Sequence, residues 1–159
     1  MTDHDPKRDL VLERYVAVPV EKVWAAWTEP ELILQWFTPA PWKTVECKID
    51  LRPGGRFYTL MRGPAGEEHA GDGCFLEVEA PKRLVWTSAL GPGYRPNPVQ
   101  HIDLSFTAML DFQPKGGGTV YTARAIHGTE AAAKTHAEMG FADGWGAALD
   151  QLVALMSRA

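Results

Sequence analysis

Two cysteines, Cys47 and Cys74, are all that 159 residues contain, and no Cys-x-x-Cys pair exists. That scarcity excludes a disulfide framework and leaves a cysteine-based zinc site without ligands, so both thiols are expected to be reduced. Positive charge is equally short. Lys+Arg 16 against Asp+Glu 20 gives a net charge of -4, and no basic cluster supplies a phosphate-binding face, which argues against nucleic acid as a partner. No apolar run approaches the roughly 20 residues that cross a bilayer, and Met1 to Leu10 is mostly charged or polar rather than a leader. The expectation is a cytoplasmic protein with no membrane insertion. A phosphate loop is missing too, because Arg52-Pro53-Gly54-Gly55 lacks the lysine and the hydroxyl residue of that motif and opens a strand rather than a helix.

What remains is a compact globular composition, with 45% apolar residues and six tryptophans. Residues 1–9 read as a polar tail and 10–159 as one domain. Leu10 to Val18 is rich in strand formers and stops at Pro19. Val20, Val23, Trp24 and Trp27 then recur at helical spacing, and after Thr28-Glu29-Pro30 a second short helix carries Leu32, Ile33, Trp36 and Phe37. From Trp42 to His127 the pattern is strands between turns. Val45 to Leu51 turns at Arg52–Gly55, Arg56 to Arg62 turns at Gly63–Gly66, and His69 to Glu79 turns at Ala80-Pro81-Lys82. In the third of these strands Cys74, Leu76 and Val78 alternate against Phe75, Glu77 and Glu79. Arg83 to Leu90 follows, then a Gly- and Pro-rich loop over Gly91 to Pro98. Next comes a cleanly alternating strand holding Ile102, Leu104, Phe106, Ala108, Leu110 and Phe112. Lys115–Gly118 turns the chain into a last strand, Thr119 to His127, with Tyr121, Ala123, Ala125 and His127 on one face. Thr129 is a plausible N-cap for a long helix to about Arg158, with the stripe Ala142, Trp145, Leu149, Leu152 and Met156. Gly140, Gly144 and Gly146 weaken its middle, where the spacing allows a kink or open space.

This order describes an α+β protein: a single antiparallel sheet of six to seven strands lying against one long C-terminal helix, with two short helices after the first strand. If the sheet curls around the helix, the two cannot touch along their whole length.

Several stretches resemble bacterial proteins of the START-like (helix-grip, SRPBCC) superfamily, most closely the group named after the activator of the ninety-kilodalton heat-shock-protein ATPase. They are Val23–Leu32, Asp50–Phe57, Met61–Gly66, Glu77–Val85, Thr122–His127 and His136–Gly146. The resemblance implies a curved sheet wrapped on the terminal helix and a deep apolar pocket between them that takes a small hydrophobic molecule. Carriers, cyclases and chaperone regulators share that scaffold, so the fold alone leaves the activity open.

The residues expected to line such a pocket are Trp24, Trp42, Phe57, Met61, Trp86, Leu104, Phe106, Tyr121 and Trp145, with His127 as an orienting polar group. Trp24, Trp42 and Trp86 lie on different elements and are therefore able to converge. The alternative is an acid/base enzyme of the cyclase, dehydratase or isomerase type, for which His127, His136 and Asp72 are the candidate catalytic groups. Asp72, between Gly71 and Gly73, shares a face with Cys74 and Leu76, facing either a pocket or a strand edge. A chaperone ATPase regulator is the third reading, and homodimerisation through a strand edge is possible. No metal site is expected, since no helix carries His-x-x-x-His or Glu-x-x-His spacing, and no cofactor is implied.

Overall fold

The computed structural model describes residues 4–98 and 105–158. Strand β1 (Asp9–Val16) is followed by helices α1 (Val20–Thr28) and α2 (Pro30–Trp36), then strands β2 (Lys43–Ile49), β3 (Arg56–Arg62), β4 (Glu68–Glu79) and β5 (Arg83–Thr87). A short ribbon of β6 (Leu90–Gly91) and β7 (Arg95–Pro96) precedes the long strands β8 (Phe106–Lys115) and β9 (Gly118–His127), and helices α3 (Glu130–Glu138) and α4 (Phe141–Met156) close the chain. Ile102 and Leu104, expected in the strand that also holds Phe106, lie outside the described residues.

Seven strands form one antiparallel sheet in the order β1-β9-β8-β5-β4-β3-β2. Because β1 and β2 sit at opposite edges, α1 and α2 must carry the chain across the full width of the sheet, and they close one end of its concave face. Helix α1 buries Val20, Val23, Ala26 and Trp27, and α2, which starts with Pro30 in its first turn, buries Ile33 and Trp36. Their indoles are tied down: Trp36 Nε1 donates to the Ala26 carbonyl at 2.9 Å and Trp27 Nε1 to the Tyr121 hydroxyl at 3.1 Å.

Register assigns the two faces. Phe57 opposes Gly73, Phe75 opposes Trp86, Trp86 opposes Ala108, and Phe106 opposes His127, so these side chains share the concave face with the helices. On the convex face Arg83 pairs with Glu77 at 2.6 Å and with Asp111 at 2.8 Å, while its guanidinium and that of Arg124 flank the buried Met109. Arginine stems thus cover apolar atoms that no helix covers.

Four expectations change. In β4 the pairing slips between Phe75 and Glu77, and this bulge puts Phe75 and Val78 together in the core, although strict alternation separates them. The fifth strand stops at Thr87, and Leu90 pairs instead within the two-stranded ribbon. The C-terminal helix is two helices, broken where Gly140 adopts φ 95°. Its buried stripe begins at Phe141 rather than at the exposed Ala142. At the other terminus β1 starts at Asp9, so the ladder takes in the end of the polar tail.

Candidate functional site

The middle of the concave face is built from rings. Phe57 stacks on Phe75 at 5.3 Å between centroids and meets Trp86 edge-on at 5.0 Å. Trp86 lies 5.5 Å from Phe106, and Phe106 in turn touches His136 at 4.9 Å, His127 at 5.9 Å and Trp145 at 6.0 Å. Phe141 completes the run against His136 and Trp145. Five strands and both C-terminal helices contribute, so this wall exists only in the folded chain.

Two polar features interrupt it. The first is Trp86, 7% exposed, whose Nε1–H has no hydrogen-bond partner among the described residues. An indole N–H is a donor only, and a buried donor left unmade costs roughly 1–3 kcal/mol. The second is a histidine pair. His127 is 3% exposed, and its Nδ1 lies 2.9 Å from the Arg8 carbonyl, which accepts only, so Nδ1 carries the proton. His127 Nε2 is then placed to accept from His136 Nδ1, 2.9 Å away, which leaves His136 Nε2 as a lone-pair acceptor. Burial, and secondly the adjacent His127, push His136 down to about 4 from its ordinary 6.5. The ring is neutral at physiological pH.

Helix α4 is pinned mainly by its C-terminal half. Gln151 donates to the carbonyls of Trp36 and Thr38 at 2.8 and 2.9 Å on one flank, and Arg14 bonds Asp150 at 2.6 Å on the other. Toward its N-terminal end, Gly144, one turn before Ala148, is itself partly exposed, and a Cβ built there meets nothing within 4 Å. Open space therefore adjoins the helix one residue from Trp145. A groove of about 300 Å³ runs nearby, lined by Ser105, Gly128, Thr129, Ala131, Ala132 and Thr135, three of which are chain neighbours of Phe106, His127 and His136.

Of the residues singled out from the sequence, Phe57, Trp86, Phe106, His127, His136 and Trp145 come together in this wall. Trp24 packs instead on Phe112 at 6.3 Å, and Tyr121 stacks on Phe112 at 5.6 Å under its bond from Trp27, so both belong to the closed end beneath α1. Burial raises the Tyr121 phenol further above its usual range. Trp42 lies against the Gly63 turn, where a Cβ on Gly63 would press on its ring. The three tryptophans thus occupy separate neighbourhoods. Met61 is half-buried on the concave side of β3, and Leu104 lies outside the described residues. Asp72 is exposed on the convex face, held by Arg56 at 2.9 and 3.2 Å. Phe75 and Phe141 enter the wall unforeseen: a bulge and a helix break hid them, and only the glycines near Phe141 signalled either. Cys47, half-buried on β2, has its thiol pushed up to about 12 by burial, reinforced by Glu31, and is unreactive as a thiolate.

The family model described as Activator of Hsp90 ATPase homolog 1-like protein matches residues 17–157. The chain belongs to this family. Its fold is accordingly the α+β helix-grip arrangement, with the sheet set around the terminal helix. Among solved structures, a Nitrosomonas europaea protein is 49% identical over 96% of each chain, with a TM-score of 0.90. A Mycobacterium smegmatis protein is 26% identical over 99% of this chain and 96% of its own, at 0.80. An AHSA1-like protein from Aeromonas hydrophila is 25% identical over 92% and 90%, at 0.70. No functionally curated protein matches the chain. No helix among the described residues is long and apolar enough to cross a membrane.

Proposed function

We propose that this AHSA1-like protein binds a small hydrophobic molecule between its concave sheet and α4, against Phe57, Trp86, Phe106 and Trp145. The observation that carries the reading is the buried, unpartnered Trp86 N–H in a wall otherwise made of rings. The open space at Gly144 supports it from the helix side. Apolar burial at about 25 cal/mol per Å² supplies the affinity, and the few polar atoms orient the guest. Thermal-shift measurements and native mass spectrometry across a panel of hydrophobic compounds test it. A one-to-one adduct with a raised Tm is expected, and a panel in which nothing binds overturns the proposal.

The histidine pair favours a second reading, acid/base chemistry. A proton taken up at His136 Nε2 would be stabilised by His127 Nε2 accepting from the opposite ring nitrogen, with the Arg8 carbonyl behind it. A group held at about 4 is, however, a weak base at neutral pH, which ranks binding above catalysis. His136→Gln and His127→Gln variants decide this once a substrate is identified, since unchanged turnover removes the enzyme reading. A chaperone-ATPase regulator rests on the family's description alone, and adding the protein to a chaperone ATPase assay is expected to leave turnover unchanged.

A further inference from the structure

The sheet ends in two edges, β1 and β2, and an edge strand offers its outward backbone groups as a template for pairing. At the β2 edge, Asp50 N donates to the Arg56 carbonyl at 2.9 Å, which fixes the phase of the ladder. Lys48 and Glu46 turn their backbone groups toward β3, while Cys47 and Ile49 turn theirs outward. Among the described residues nothing bonds these outward N–H and C=O groups. We propose that this edge pairs antiparallel with the same edge of a second copy, about a two-fold axis at Cys47, and joins two seven-stranded sheets into one.

Charge selects the register. Opposed residues of an antiparallel pair share a face, and outward groups must meet outward groups, so few registers are open. Centred on Cys47, each Cys47 N–H donates to the Cys47 carbonyl of the other copy, Ile49 opposes Val45, and Glu46 opposes Lys48 on both sides of the axis. Glu46 and Lys48 are exposed, and neither forms a salt bridge among the described residues. Moving the axis by one residue sets Glu46 against Glu46 or Lys48 against Lys48, and like charges directly opposite are destabilising. The β1 edge offers no such match. His127 N donates to the Arg8 carbonyl, so the outward residues there are Asp9, Val11, Glu13 and Tyr15. No symmetric register sets either acid against a cation, and Arg14 is already bonded to Asp150. The free stretch of β2 is short, because a register shift between Thr44 and Glu46 bends one end and the Arg52–Gly55 turn closes the other. The dimer is therefore of the weak, concentration-dependent class.

Sedimentation velocity on the intact protein, over a wide concentration series in low-salt buffer, tests this. A monomer–dimer equilibrium is expected, and added salt should weaken it because the charge pairs are exposed. Glu46→Lys and Lys48→Glu each turn both cross-axis attractions into repulsions, so each should raise the dimer dissociation constant at least about tenfold. An equimolar mixture of the two single variants brings opposite charges together again in the mixed dimer, and the double variant Glu46→Lys/Lys48→Glu does so in its own. Both should recover the association of the unsubstituted protein. Since the two side chains are exposed, thermal melts of every variant at low concentration should match. A protein that stays monomeric throughout the series overturns the proposal, as does a dimer that neither single substitution weakens. A mixture that fails to recover association overturns the antiparallel pairing about Cys47. Growth beyond the dimer overturns it too, because an open chain of copies requires β1 of one to join β2 of the next.

Discussion

A neutral, half-buried imidazole packed against another imidazole makes stability depend on acidity. His136 is held near 4 in the folded chain and returns to about 6.5 when unfolded. Between those values the unfolded state binds more protons, so stability falls as pH drops through the window and the contribution is fully present above it. His127 and the rings of Phe106 and Phe141 are the groups that face it. Circular-dichroism melts should therefore show Tm declining from pH 7 toward pH 4.5, with a shallower decline for His136→Gln; parallel curves would contradict the assignment. Asp72 behaves differently. Its bond to Arg56 is exposed, so Asp72→Asn should cost no more than about 1 kcal/mol and leave ligand affinity unchanged. Phe75 is fully buried on Phe57, and Phe75→Ala should cost about 3–5 kcal/mol in urea denaturation.

At the scale of an element, turn chemistry is the most transparent feature. Pro53 and Gly54 make the Arg52–Gly55 turn as their residue types require, with Gly54 at φ 83° and Gly55 N donating to the Arg52 carbonyl at 2.8 Å. The ends of α3 and α4 follow the same logic. Thr129 Oγ1 accepts from Ala132 N at 3.0 Å, and Gly140 supplies the left-handed residue between the helices. Gly140→Ala should cost roughly 1–2 kcal/mol for that conformation, read as a lower urea midpoint. Gly144 plays another part, since it leaves room rather than making a bend. Gly144→Leu should preserve the melting temperature while weakening hydrophobic-probe binding, and unimpaired binding would show that the room beside α4 is not where the guest sits. The β4 bulge, by contrast, has no glycine or proline to announce it, and strict alternation sets Phe75 on the face of Glu77 and Glu79. Its cause lies in how the strand pairs β5 across a curved sheet.

For the whole molecule the decisive fact is that β1 and β2 occupy opposite edges of the seven-stranded sheet. The tandem helices must span the concave side to join them, and α4, clamped by Gln151 to α2 and by Arg14 to β1, lies over what they leave uncovered. Apolar periodicity, proline and glycine punctuation and the capping threonine are local properties, and they sufficed for the strands, the paired short helices and the α+β class. They also placed Phe106, His127 and Trp145 on plausible inward faces, since alternation and helical repeat survive folding. Which tryptophan would be left without a hydrogen-bond partner, and that Asp72 would face outward while His136 met His127, could not be read in advance. Those outcomes depend on curvature, a register slip and contacts between residues far apart in the chain, and such long-range geometry arises only when the sheet closes around the helices.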